Sequence, residues 1–206
     1  MTLVFMSKKV KILNSEKGYN LLADYYQQKE KYWDSFEKDK ILPLLGDVVN
    51  KKILDVGAGT GRLALRLTKA GAKVVALDVS EEMLKKIKAK IKIETVVGEA
   101  ESLPFVEGSF AIVIATFLIV HLKDLRRFFD EVYRVLKTGG IFLVTNINQR
   151  QAPAIKTKEG LVEIESYYHR PEAVAEGLEN LAFEIVENKF VKEGETWVNQ
   201  ILLAKK

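Results

Sequence analysis

Apolar residues along this chain fall into two alternating rhythms. Near-continuous apolar runs at residues 52–56, 73–77, 91–97, 110–115 and 141–145 read as strands buried on both faces. Between them lie stretches of helical period. Residues 62–70 carry Leu63, Leu65 and Leu67, and Gly71 stands where a helix-terminating residue belongs. After the run that ends at Asp78, Ser80 takes the N-cap position, Glu81 and Glu82 fill the first turn, and Met83, Leu84 and Ile87 share an inner face. Residues 122–136 keep the helical period through Leu125, Phe128, Phe129, Val132 and Leu136, and Thr138-Gly139-Gly140 then turns the chain into the next strand. Such alternation predicts an α/β fold, a parallel sheet with helices on both faces.

The two ends differ from this middle. Residues 15–45 predict one or two helices carrying Tyr19, Tyr25, Tyr26, Tyr32, Trp33 and Phe36. Residues 146–160 form a polar connection. A helix is expected over 172–181, with Pro171 at its first position. Strands over 183–191 and 196–204, joined by Lys192-Glu193-Gly194-Glu195, predict a closing antiparallel hairpin. The sheet then has seven strands, mostly parallel.

The run Ile53-Leu54 ends in an acid, Asp55, and after Val56 come Gly57, Gly59 and Gly61 at alternate positions before a helix. A turn without Cβ atoms at a helix N-terminus lets a ligand lie against backbone, where free N–H groups are expected to point outward. The dinucleotide fingerprint G-x-G-x-x-G needs its third glycine at position 62, which is Arg62.

Composition narrows the chemistry. A chain of 206 residues that is 48% hydrophobic and 29% charged suits one globular domain. No apolar run approaches the roughly 20 residues of a membrane span, and the opening Met1 to Met6 is too short for a signal segment, with Met6-Ser7-Lys8-Lys9 an alternative start. A cytoplasmic location is expected. Cysteine is absent, which excludes thiolate metal sites and any route through a Cys adduct, and the two histidines, His121 and His169, leave no His-rich metal centre. The net charge of +4 and pI near 9.0 come from lysines balanced by glutamates, and the run Lys85, Lys86, Lys88, Lys90, Lys92 reads as a solvated face.

Four ordered motifs resemble class I S-adenosylmethionine (SAM)-dependent methyltransferases of the methyltransferase domain 11/25 type. They are Asp55-Val56-Gly57-Ala58-Gly59-Thr60-Gly61, Val75-Ala76-Leu77-Asp78-Val79-Ser80, Gly98-Glu99-Ala100-Glu101-Ser102-Leu103-Pro104-Phe105 with Gly108-Ser109-Phe110, and Leu136-Lys137-Thr138-Gly139-Gly140. The resemblance implies a Rossmann-like domain over residues 1–206: a helical lid at about 1–48, a SAM-binding core at about 49–147, and a substrate-side segment with the closing hairpin at about 148–206. It also implies SAM as cofactor and S-adenosylhomocysteine (SAH) as product.

By the same resemblance Gly57, Ala58, Gly59 and Gly61 admit the aminoacyl arm and Asp55 attracts its ammonium, directly or through water. Asp78 and Val79 hold the ribose, and Met83 lies on the adenine or in the core. Glu99 and Ala100 meet the adenine edge, with Thr116 and Phe117 beside the reacting end. Tyr19 or a neighbouring lid tyrosine touches the cofactor carboxylate or the acceptor. Glu99 stands where Asp is usual, and Ala111 replaces an Asp. No N-P-P-Y or D-P-P-Y sequence occurs. His121 is the leading candidate base, against a role in holding its loop, and His169 is the second. The expected reaction is methyl transfer to an O or N atom of a small molecule. RNA is the alternative acceptor, and a non-catalytic SAM-binding or partner-activating subunit is the reading from another class. No membrane partner or metal is expected.

Overall fold

The computed structural model describes residues 10–37, 39–90, 92–158 and 160–206. The opening Met1 to Met6, the alternative start at Ser7-Lys8-Lys9 and the predicted strand start at Ile91 lie outside them. In chain order the elements are β1 (Lys11–Leu13), α1 (Ser15–Gln28), α2 (Glu30–Ser35), α3 (Ile41–Leu45), β2 (Lys52–Val56), α4 (Arg62–Lys69), β3 (Lys73–Asp78), α5 (Glu81–Lys90), β4 (Glu94–Val97) and β5 (Phe110–Ala115). A 3-10 turn at Ile119–His121 follows, then α6 (Leu125–Val135), β6 (Leu136–Ile147), β7 (Ile155–Thr157), β8 (Gly160–Ile164), α7 (Pro171–Glu179), β9 (Glu184–Glu193) and β10 (Thr196–Lys205).

The main sheet has seven strands in the order β4-β3-β2-β5-β6-β10-β9. The first five are parallel to one another, β10 pairs antiparallel with β6, and β9 pairs antiparallel with β10 at the edge, so β10 alone runs against the other six. Side chains alternate across it, so Leu54 and Val56 join Phe110, Phe128, Phe129 and Phe142 on the face covered by α6 and α7. Ile53 points the other way, with Leu63, Leu67, Leu84 and Ile87 under α4 and α5. Burial on both faces is why these strands read as unbroken apolar runs. The chain steps outward from β2 to β3 to β4 and then crosses back to β5 on the other side of β2, so the switch point lies between β2 and β5, at the carboxyl end of β2.

The 15–45 segment folds as three helices rather than one or two, and three further features differ from the sequence reading. Helix α6 begins at Leu125 because the Asp124 side chain caps it, accepting from the Arg126 N–H at 2.9 Å. The preceding 119–121 stretch closes into a tighter turn instead. Strand β6 begins at Leu136, which pairs with Phe110, and the next pair is Ile112 with Ile141. The Thr138-Gly139-Gly140 turn is thus a bulge inside one strand, with Gly139 at φ +73° and its N–H on the Lys206 carbonyl.

The third difference is a whole sheet. Strands β1, β8 and β7 form a separate three-stranded sheet in which Lys11 pairs with Val162 and Ile155 pairs with the same residue from the other side. The polar connection over 146–160 therefore ends in ordered structure. Helix α1 lies on this sheet through Leu22, Tyr19 and Tyr26. Gly18 permits the approach, since a Cβ there would sit 2.7 Å from Ile164 Cγ1. The other flank of α1 meets α5: Asn20 accepts from the Ser80 hydroxyl at 2.7 Å and the Glu82 N–H at 3.2 Å, and Asp24 pairs with Lys86. Among the described residues no helix is long and apolar enough to cross a membrane.

Candidate functional site

A single cleft runs over the carboxyl ends of β2, β3 and β5. Its floor is the turn after β2, and its roof is α1 and α2. Gly57, Gly59 and Gly61 all have positive φ. Their surroundings differ. A Cβ on Gly59 would meet nothing within 4 Å, so this position faces open space, whereas a Cβ on Gly61 would press 2.7 Å from Ile87 Cγ1. Gly61 therefore serves helix packing, and it does not line the cleft with Gly57, Ala58 and Gly59.

The expectation of free N–H groups in this turn needs correction. The Gly57 and Ala58 N–H groups both donate to the Leu77 carbonyl, at 2.8 and 3.0 Å, and the Gly61 N–H donates to Ala58 at 3.0 Å. The Gly59 N–H donates to Asp78 Oδ2 at 2.8 Å. What the turn offers a ligand is room rather than donors.

Asp78 ends β3 with both oxygens engaged by backbone: Oδ2 by Gly59 and Oδ1 by the Ser80 N–H at 2.8 Å. A carboxylate oxygen has two lone pairs, so Asp78 keeps capacity for further donors, and the residue lines the cleft. Burial pushes this carboxyl up to about 6 despite those bonds. Asp55 is buried deeper, at 2% exposure. Burial raises it to about 7, partly offset by the nearby Arg62 charge, while Glu37 and Asp78 push it further up and the Ala64 N–H opposes them. Two carboxylates held above their ordinary range line one cleft and leave it poor in compensating cations.

Arg62, noted in the sequence only for not being glycine, explains the roof. Its Nη1 donates to Asp34 at 2.7 Å and Glu37 at 2.6 Å, and its Nη2 reaches Thr116 Oγ1 at 3.4 Å. Arg66, one turn on, donates to Asp34 at 2.5 Å. These pairs tie α2 and the residues after it to α4. The Arg62 guanidinium lies 5.7 Å from the Phe117 ring, on a residue whose φ of +57° is strained for a side chain of that size. Trp33 is stacked on Tyr26 at 5.2 Å and 10° and tilted against Phe117 at 5.9 Å. None of Arg62, Trp33, Asp34 or Glu37 stood among the sequence candidates. The aromatic density of residues 15–45 was the available signal for Trp33.

At the far end Tyr19 and His121 meet. The Tyr19 hydroxyl lies 2.6 Å from His121 Nε2, and His121 Nδ1 lies 2.8 Å from the Glu165 carbonyl oxygen. A carbonyl only accepts, so Nδ1 carries the proton and Nε2 accepts from Tyr19. Burial holds His121 below its ordinary value, and burial with the Tyr26 hydroxyl alongside holds Tyr19 well above its own. Around this pair the wall is apolar, with Leu118, Val120, Pro153, Ile155 and Ile164.

Of the remaining candidates, Val79, Met83, Ala100, Thr116 and Phe117 line the cleft, Met83 and Ala100 being buried. Glu99 lines it too, and its longer side chain is exposed at the rim. His169 is not brought to the cleft. Its Nε2 binds the carbonyls of Ile119 and Leu122, at 3.0 and 2.9 Å, stapling the loop that carries His121. Among the described residues no group of three His, Asp or Glu side chains is placed to hold a metal ion.

The fold is that of class I SAM-dependent methyltransferases. It matches an S-adenosylmethionine-dependent methyltransferase from Mesorhizobium loti over 83% of this chain and 98% of that one, at TM-score 0.71 and 18% identity. It also matches magnesium protoporphyrin IX methyltransferase from Synechocystis with bound SAM, over 94% and 92%, at TM-score 0.68 and 17% identity. Residues 54–144 match the model of the methyltransferase domain family. Among curated proteins the chain is 41% identical over 113 residues to demethylmenaquinone methyltransferase of Chlorobaculum tepidum, covering 54% of this chain and 47% of that protein. It is 30% identical over 128 residues to the ubiquinone/menaquinone biosynthesis C-methyltransferase of Cereibacter sphaeroides, covering 58% and 51%. The chain thus spans about half the length of the curated relatives it matches.

The cleft fits SAM on its own chemistry. A floor opened by Gly59, a buried acid with spare lone pairs at Asp78 and a buried acid at Asp55 suit a ligand carrying two vicinal hydroxyls and a cationic arm.

Proposed function

We propose that the protein is a SAM-dependent methyltransferase whose acceptor is a small, largely apolar molecule methylated at an O or N atom. The observation that carries this reading is the continuity of the cleft from the Asp55 and Asp78 carboxylates to an apolar vault with the Tyr19–His121 pair in its wall. In this reading Asp78 holds the ribose hydroxyls, Asp55 the ammonium, and Glu99 and Ala100 the adenine edge, with Met83 packed beneath. The α1–α3 segment acts as a lid, closed by the Arg62–Asp34 and Ser80–Asn20 contacts. Bound SAM supplies an electrophilic methyl group on a sulfonium centre.

The chain's own residues then exclude water, align the acceptor and take up a proton. As the acceptor's O–H or N–H proton passes to Tyr19 Oη, the Tyr19 proton passes to His121 Nε2, and Nδ1–H stays on the Glu165 carbonyl. Tyr19→Phe breaks this path without removing the ring, and turnover is expected to fall about 10²-fold or more with SAM affinity retained. In the parent chain turnover falls as pH drops through an apparent pKa below the ordinary histidine value, because burial depresses His121. His121→Ala removes that limb. A pH–rate profile unchanged by either substitution rules out the pair as proton acceptor.

A second reading places the methyl group on carbon, favoured by the name of the Cereibacter relatives, which are C-methyltransferases. The acceptor screen separates these readings. Incubation of cell extract with methyl-labelled SAM, followed by fractionation into small molecules, RNA and protein, is expected to place label in apolar small molecules. Product NMR assigns O, N or C. Label in RNA contradicts the small-acceptor reading, and no label above background supports a non-catalytic binding protein.

A further inference from the structure

We infer that the indole N–H of Trp33 is the donor that receives the carboxylate of the cofactor's aminoacyl arm. The inference rests on the SAM reading above and adds a residue to it. Trp33 Nε1 is buried and has no hydrogen-bond partner among the described residues, although the ring lines the cleft. An indole N–H donates and never accepts, so its missing partner is an acceptor and not an ammonium group. Burying it unpaired is costly, and such groups in a cleft wall call for a ligand atom.

Position selects which ligand atom. The Trp33 ring packs against Phe117, the ring that the Arg62 guanidinium also approaches, and the Arg62 charge bears on Asp55. That is the aminoacyl end of the cleft. The ribose end lies at Asp78. Several other donors at the aminoacyl end are engaged. Arg62 is held by Asp34, Glu37 and Thr116, and the Thr60 hydroxyl donates to Glu30 at 3.1 Å. The Gly57, Ala58 and Gly59 N–H groups point into their own backbone and Asp78. A carboxylate arriving between Asp55 and this wall therefore meets in Trp33 a donor with no partner among the described residues, and stacking on Tyr26 holds the plane of its ring.

The test compares two probes on the parent chain and Trp33→Phe, which keeps an aromatic ring against Tyr26 and removes the N–H. SAH carries the aminoacyl arm, and 5′-methylthioadenosine lacks it. Calorimetry is expected to show SAH weakened about tenfold or more in the variant and 5′-methylthioadenosine unchanged, which also shows that the variant is folded. Equal weakening of both probes assigns Trp33 to packing and overturns the inference. Unchanged SAH affinity overturns it as well, and a raised acceptor KM alongside would move the N–H to the acceptor. A parent chain that binds neither probe fails the SAM reading itself. A parent that binds 5′-methylthioadenosine as tightly as SAH leaves that reading standing and removes only the carboxylate site.

Discussion

An Asp78→Ala variant is expected to bind SAM about 10² to 10⁴-fold more weakly than the parent chain. The magnitude follows from two hydrogen bonds to one charged acceptor, each about 1.5–3 kcal/mol, lost together in a buried setting. Asp78 is 7% exposed, and its oxygens already take the Gly59 and Ser80 N–H groups. Those bonds keep the carboxylate aimed at the cleft, so no side-chain ordering is left for the ligand to supply. The substitution also strips two backbone donors of their partner, and some destabilisation accompanies it. Asp78→Asn separates the two effects. It retains an acceptor oxygen for part of the backbone network and halves the acceptor capacity toward the ribose, so its affinity should fall between the other two. Calorimetry on all three proteins checks the order, and parent-like affinity in the alanine variant would remove the ribose assignment.

The second large effect has opposite signs in two measurements. Burial holds Asp55 near 7, against a model-peptide value of 3.8. Between those values the native state binds more protons than the unfolded chain, so ligand-free stability falls as pH rises from about 4 to 7 and then levels. At about 1.4 kcal/mol per pK unit the full displacement corresponds to roughly 4 kcal/mol as an upper bound. Asp55→Asn removes this penalty. The ligand-free variant should melt several degrees higher at pH 8, at roughly 3 °C per kcal/mol for a chain of this size, and little higher at pH 5. Asp78, raised to about 6, keeps a smaller slope of the same sign in the variant. SAM affinity should fall steeply in the same protein, because the ammonium loses its counter-charge. A ligand-free variant that melts lower than the parent at pH 8 would show that Asp55 stabilises the fold as an ion.

Stability is thus lower where the cleft gathers acids. Asp55, Asp78, Glu30 and Glu99 face a space in which the one lining arginine is already neutralised by Asp34 and Glu37. Such a cleft repels a pyrophosphate and attracts a sulfonium with an ammonium arm. The Arg62 that breaks the dinucleotide spacing is therefore more than a missing glycine. It holds α2 over the ligand, and its partners make the cleft acidic.

Much of this was legible in the sequence because the signals are local. Strands β2, β3, β5 and β6 are buried on both faces over their apolar stretches, so each appears as an apolar run, and Asp55 and Asp78 stand at strand ends. Ser80 as an N-cap follows from its place before Glu81, and its hydroxyl does accept from the Met83 N–H at 3.2 Å. The small sheet was not legible. Its pairing joins Lys11 to Val162 across the whole domain, and its strands are three to five residues long with no sustained alternation. The Arg62–Asp34–Glu37 cluster was hidden for the same reason. Charged residues 25 and 28 positions apart in separate segments look like solvated faces until the fold brings them together. The turn's N–H groups were misjudged because the close approach of β3, through the Leu77 carbonyl, satisfies them.

The most direct test of the central claim is a calorimetric titration of the parent chain with SAM and, separately, with NAD. Saturable binding of one SAM per chain, with no heat from NAD, is the predicted result. Absence of SAM binding, or NAD binding of comparable strength, would contradict it.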